Sequence, residues 1–165
     1  MKLTVYRCGI PSGLYDRGGV WYSLTLQGLF LYIMMYRKEG RLSYLTEKEI
    51  TVDNPFILNM KYNDEKDYPI LAYYVAENNF SKEAIDNDNR DLAEKKYRIY
   101  YGRYIDTEIK PLELENPERA DELLSDTEYF YSWLERKLSR MYKERGYDSI
   151  LFLVSGKPEQ IFVFT

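Results

Sequence analysis

The stretch 18-GGVWYSLTLQGLFLY-32 decides how the rest of the chain is read. Val20 to Ser23 reads as a short strand. From Thr25 to Arg37, the apolar residues Leu26, Leu29, Phe30, Ile33 and Met34 recur at helical spacing and form one apolar face. Gly18 and Gly19 break the chain before the strand, and Gly40 ends the helix as a C′ residue. Trp21, Tyr22 and Ser23 therefore stand where a strand gives way to a helix. A core needs aromatics, but it needs neither a glycine hinge before them nor a hydroxyl after them. That crossing is the first candidate for a site.

Working outward, Lys2 to Arg7 alternates as a strand, and CGIPSGLYDRGG reads as loop. Arg41 to Thr51 reads as extended, with one strand around Leu42–Leu45 and another around Ile50; Thr46 and Glu49 also fit a capping box. Asn54-Pro55 is a turn and Phe56 to Met60 a strand. Residues 61–115 read as an insertion or lid: Ile70 to Ala76 as strand or short helix, Ser81 to Lys96 as helix plus loop, and the aromatic, basic Tyr97 to Ile105 as an edge strand or a target-contacting surface. Asn116-Pro117 starts a helix, with a restart at Ser125. That helix buries Phe130, Trp133, Leu134, Leu138 and Met141 and ends at Gly146. Ser149 to Val154 is a buried strand, Gly156-Lys157-Pro158 a turn, and Gln160 to Phe164 a last strand. This order predicts a single α+β domain over 1–165, with helices on a mostly antiparallel sheet.

Composition narrows the function. A net charge of −4 argues against a protein that holds nucleic acid mainly by its phosphates. The chain has no histidine, which removes Ser-His-Asp triads, Cys-His dyads and His-based metal sites. Cys8, the only cysteine, allows no internal disulfide or zinc cluster and reads as a small core filler. Eighteen tyrosines supply core bulk and permit an aromatic-lined pocket. The run Leu24–Met35 is too short to cross a bilayer. The sequon Asn79-Phe80-Ser81 has no secretory signal before it, so a cytoplasmic protein with no metal and no membrane partner is expected.

Five local features, in order, resemble the ADP-ribosyltransferase superfamily. "VYRCG" resembles its first strand. "GVWYSLTLQGLFLY" matches without a gap the pattern of Gly, apolar, two aromatics, a small residue and a Tyr nine positions on. "DNPFILN" is similar to the Asn-Pro-led third strand, "KERGYDSILF" to the Gly-Tyr-Asp at a helix end, and "PEQIFVFT" to the last strand, which carries the catalytic Glu. The resemblance spans the two ends of the chain, about half of it. It implies a split, mostly antiparallel sheet with flanking helices and NAD bound as substrate in the cleft between its halves. It further implies transfer of ADP-ribose to a macromolecular target, a protein rather than a nucleic acid, with release of nicotinamide. Size and tyrosine content suit a phage or mobile-element protein acting in a bacterial cytoplasm.

The chemistry needs a held nicotinamide and a site that favours positive charge at the ribose. The resemblance gives the ring-stacking role to Tyr32, with Trp21 and Tyr22 on the wall. Arg7, with Cys8 and Gly9 beside it, meets ribose or phosphate oxygens. Ser23 bonds the nicotinamide end or orients the carboxylate; read alone, it is a helix N-cap. Arg7 belongs to the Arg-Ser-Glu pattern and Tyr32 to the His-Tyr-Glu pattern, so the class is mixed. Aligning the terminal apolar run puts Gln160, not Glu159, at the Glu position. In a regular strand only one of the two faces the cleft; a bulge restores Glu159. Gln160 there favours a non-catalytic binding protein of the same fold. NAD glycohydrolysis is a further alternative. A tRNA 2′-phosphotransferase would need an Arg and His cluster that this chain lacks.

Overall fold

The computed structural model of the protein describes residues 1–9, 16–40, 44–61, 64–78 and 89–165. The strands are β1 (Lys2–Gly9), β2 (Gly19–Ser23), β3 (Tyr44–Thr51), β4 (Pro55–Met60), β5 (Ser149–Val154) and β6 (Lys157–Phe164). The helices are α1 (Phe30–Lys38), α2 (Tyr68–Asn78), α3 (Asn89–Tyr104), α4 (Lys110–Glu115), α5 (Pro117–Ser125) and α6 (Thr127–Glu144). A π-helical turn, Ile105–Ile109, joins α3 to α4. Among the described residues the strands form one mixed sheet of order β3-β1-β2-β6-β5-β4. Only β4 and β5 run parallel, and the other pairs are antiparallel. The α+β class with flanking helices expected from sequence is what the chain adopts.

The sheet is not flat. β3 and β4 lie on opposite edges, five strand spacings or about 24 Å apart in a flat sheet. Yet only Val52, Asp53 and Asn54 join them, and the four Cα steps from Thr51 to Pro55 reach at most ~15 Å. The two edges must curl toward each other. The ladder offers least resistance between β1 and β2, where a single pair, Tyr6 opposite Ser23, connects them.

The curl creates two different faces. On the outer one, Phe56, Leu58, Phe152 and Phe162 pack beneath α2 and α6, with Tyr68, Leu71, Phe130, Leu134 and Tyr142 in the same cluster. On the inner one, Val5, Val52, Leu151 and Ile161 form a smaller core, flanked by Leu3, Tyr22, Leu24 and Ile57.

Several local expectations are corrected. The helix after β2 opens as a 3₁₀ turn at Gln27–Leu29 and becomes α-helical only at Phe30. Of its expected apolar face Leu29 is buried and Ile33 half-buried, while Leu26, Phe30 and Met34 are exposed. Residues 44–51 are one continuous strand, held by eight successive pairs with β1, so the capping-box reading of Thr46 and Glu49 fails. Residues 41–43 and 79–88, the sequon included, lie outside the described residues. Residues 61–115, expected as an insertion or lid, bring α2 and α3 into the main core. Tyr68, Ile70, Leu71, Ala72, Tyr100, Tyr104 and Ile109 are all buried there. Tyr97–Tyr104 is helix, not an edge strand, because Tyr97, Tyr101 and Tyr104 stand on one helical face against Phe130.

Other readings hold with small shifts. Asn116 caps α5 by accepting from Arg119 N–H, with Pro117 at the first position. The next helix restarts one residue later than expected: Asp126, not Ser125, accepts from Glu128 N–H. The last turn is tighter than expected. Ser155 and Gly156 carry it with φ of 49° and 79°, the left-handed pair of a two-residue hairpin, and Lys157 and Pro158 already belong to β6.

Candidate functional site

Three of the residues singled out by sequence meet at one end of the sheet. β2 and β6 pair from Gly19 opposite Phe164 to Ser23 opposite Gln160. Leu24 N–H then donates to the Glu159 carbonyl at 2.9 Å, so the two strands stay together past Gln160. Against β5, however, Phe152 pairs with Gln160 and Leu153 with Pro158. Glu159 is one residue too many for its neighbour: β6 carries a bulge at the position that matters. A bulge suspends strict alternation, so Glu159 and Gln160 are no longer forced onto opposite faces. Both side chains are half-buried. Tyr68 lies over Phe152, ring centroids 4.9 Å apart and 9° from parallel. Its hydroxyl is pushed up from the ordinary phenol range, first by burial and then by the charges of Glu65, Glu159 and Asp64.

Ser23 is 4% exposed. Its Oγ–H donates to the Thr25 carbonyl at 2.6 Å, and its Oγ accepts from Thr25 N–H at 3.2 Å. The hydroxyl thus closes the turn leaving β2. The residue at the cap of the first helical turn, Leu26, makes no side-chain bond; Thr25 Oγ1 just before it accepts from Gly28 N–H at 3.2 Å.

Other expected residues are set apart. Alternation along β1 places Arg7 with Leu3 and Val5 on the inner face, and the side chain is exposed. Tyr22 faces inward as well, with Lys48 Nζ 4.8 Å from its ring centroid. Trp21 faces outward and is core, stacked on Phe162 at 4.7 Å and Phe152 at 5.2 Å. Cys8 is half-buried rather than a filled core position, and it pairs with Leu45; Gly9 pairs with Tyr44. Tyr32 falls on α1, but its side chain lies outside the described residues. Sequence spacing put these residues in one cleft; pleating divides Arg7 and Tyr22 from Trp21, Ser23 and Gln160.

A polar cluster at the other end of β2 was not foreseen. Glu135 on α6 is 2% exposed. Trp21 Nε1–H donates to its Oε1, and Arg17 Nη1 donates to its Oε2 at 2.6 Å. Arg17 also pairs with Glu128, two turns earlier on α6. Burial raises the Glu135 carboxyl to about 7, against the lowering effect of Arg17 and Trp21. Gly18 lies directly over this helix: a Cβ there would sit 2.5 Å from Ser139 Oγ, and its φ is +71°. The sequence signal is thin: an acidic residue beside Leu134 on the buried face of a helix, and an arginine just before a glycine pair.

Among the described residues no group of three or more acidic or cysteine side chains is placed to hold a metal ion. No described helix is long and apolar enough to cross a membrane. Compared with known proteins, the chain matches no family model, and no curated protein or solved structure at a significant level.

Proposed function

We propose that the chain uses NAD as a substrate and transfers its ADP-ribose to a macromolecular acceptor, a protein, with release of nicotinamide. The observation that supports this reading is the bulge at Glu159. It answers the objection that Gln160 stands at the acidic position, because it frees the neighbouring carboxylate from the opposite face. In this reading Glu159 supplies negative charge beside the ribose as positive charge develops there. Gln160 bonds a ribose hydroxyl. Ser23 keeps the turn between β2 and the following helix, since both its donor and an acceptor site are engaged with Thr25. Tyr32 and Arg7 take the ring-stacking and oxygen-binding roles that the resemblance assigns.

The test is nicotinamide release by the purified chain with a candidate protein acceptor. Glu159→Ala is expected to lower the rate about 10²–10³-fold, and Gln160→Ala to lower it less. Loss on Gln160→Ala alone would put the Gln160 amide, not the Glu159 carboxylate, at the ribose and remove the argument from the bulge. A second reading, a non-catalytic binding protein, is favoured by the placement of Arg7 and Tyr22 on the face opposite Trp21, Ser23 and Gln160. Calorimetry separates the two: no heat of NAD binding and no turnover at millimolar NAD would leave only the second.

A further inference from the structure

A cavity of about 320 Å³ is bounded by the end of α3, the π-helical turn, α5, α6 and Asp16. Tyr104 lines it and is 2% exposed, yet its Oη finds no hydrogen-bond partner among the described residues. A buried hydroxyl without a partner costs stability, so its position calls for a reason. The charged groups acting on that hydroxyl are Glu108, which raises its pKa, and Arg119 and Arg136, which lower it. Burial comes first and lifts the phenol to about 12; like any phenol, the group is an O–H donor at neutral pH.

Each charged neighbour has only part of its capacity engaged in the bonds that define the wall. Arg136 Nη1 donates to the Asp16 carbonyl at 2.7 Å. Arg119 Nη1 pairs with Glu122 at 2.7 Å, and its guanidinium lies 5.3 Å from the Tyr129 ring centroid. A guanidinium carries five donors, so both forks retain further N–H groups. Glu108 accepts from Trp133 Nε1–H at 3.1 Å, and it stands on the π turn, a backbone irregularity frequently found at functional sites. Trp133 and Tyr104, ring centroids 5.4 Å apart and tilted 55° to each other, supply apolar wall, and Lys137 Nζ stands 4.3 Å from the Trp133 ring centroid.

We infer that this cavity binds a small monocarboxylate with a flat apolar body. The carboxylate accepts from Tyr104 O–H and from the guanidiniums of Arg119 and Arg136, and the body lies along Trp133. Two cations and one hydroxyl donor converge on the anion, which is the recognition that planar guanidinium forks favour. The carboxylates of Glu108 and Asp16 in the same wall disfavour a second negative charge, so a dianion such as phosphate is rejected. The cavity volume lies at the lower end of small-molecule sites, which limits the ligand to a single ring.

The test is titration of the full chain with benzoate, acetate and inorganic phosphate, followed by calorimetry and by amide shifts. Saturable benzoate binding is expected, with acetate weaker and phosphate absent. Arg136→Gln should weaken benzoate at least about tenfold, and Tyr104→Phe about fivefold. Tyr104→Phe should also melt no lower than the parent, because it removes a hydroxyl that bonds nothing in the described fold. No saturable benzoate binding at millimolar ligand, unchanged affinity in both variants, or phosphate binding as tight as benzoate would each overturn the proposal. So would a Tyr104→Phe protein that melts well below the parent, since the hydroxyl would then have a partner within the fold.

Discussion

The two ends of β2 treat polar groups in opposite ways. At its start, Arg17, Trp21 and Glu135 form a closed cluster in which both carboxylate oxygens are engaged and the acid is 2% exposed. At its end, Ser23 turns its hydroxyl back onto its own chain, and the half-buried Glu159 and Gln160 are left beside a bulge. Five residues of strand separate a lock from an open edge. A buried carboxylate with every oxygen occupied can only hold the fold together. A half-exposed pair with regular alternation suspended has chemistry left to offer a ligand. Burial alone would have nominated Glu135 as the reactive acid; the occupancy of its oxygens argues the other way.

Breaking the closed end should have the largest effect. Glu135→Ala leaves Arg17 and the Trp21 indole N–H without their shared acceptor, and about 3–5 kcal/mol of stability should be lost in denaturant unfolding. If the loss is under 1 kcal/mol, the cluster is not a lock and the contrast collapses. Raising the pH should act on the same group more gently. Glu135 binds its proton more tightly folded than unfolded, so its contribution is complete below 4.5 and is lost as pH rises through about 7. At ~1.4 kcal/mol per unit, that window is worth roughly 3 kcal/mol at most. Asp67, raised to about 6 by burial and by Asp64, acts in the same direction. Asp148, raised by burial but lowered on balance by hydrogen bonds from the backbone at Asp53, from Ser149 and from the backbone at Asn54, acts oppositely and loses its contribution only as pH falls into the acid range. The melting temperature should therefore fall between pH 5 and 8, and Glu135→Gln should flatten that fall. A slope untouched by Glu135→Gln would place the titrating group elsewhere. The smallest effect belongs to the open end. Ser23→Ala removes one local turn bond and should cost only about 1 kcal/mol by the same unfolding measurement.

Much of the frame was legible because it depends on local period. The apolar run of Ser149–Val154, the alternation of β1 and the stripe of Phe130, Trp133, Leu134 and Leu138 each announce themselves over a few residues. Tyr97–Tyr104 misled because aromatic residues favour strands in general, while here they serve one face of a helix. The stripe on α1 misled because periodicity reports an amphipathic helix, not what covers it. At the site, the pattern Trp21-Tyr22-Ser23 was visible, but which face each takes was lost in treating three consecutive strand residues as one wall. The bulge at Glu159 was one of the alternatives the sequence offered, but nothing local could choose it, since it exists only as a mismatch between β6 and β5. Glu135 was hidden for a related reason: its partner Arg17 lies 118 positions away.

The three residues that join β3 to β4 also bear on how the chain reaches this state. β4 follows almost at once in sequence, yet among the described residues its only ladder partner is β5, and the nearby bond from Asn54 Nδ2–H to the Gly146 carbonyl spans 92 positions. The hairpin of β5 and β6, by contrast, closes over a two-residue turn. Long loops lose their closure entropy before their contacts return it, and parallel pairing is slow for that reason. Until Ser149–Val154 has emerged and folded, Pro55–Met60 has nothing to pair with. This strand is an apolar edge waiting on the far end of the chain, and it is the segment most exposed to mispairing during synthesis.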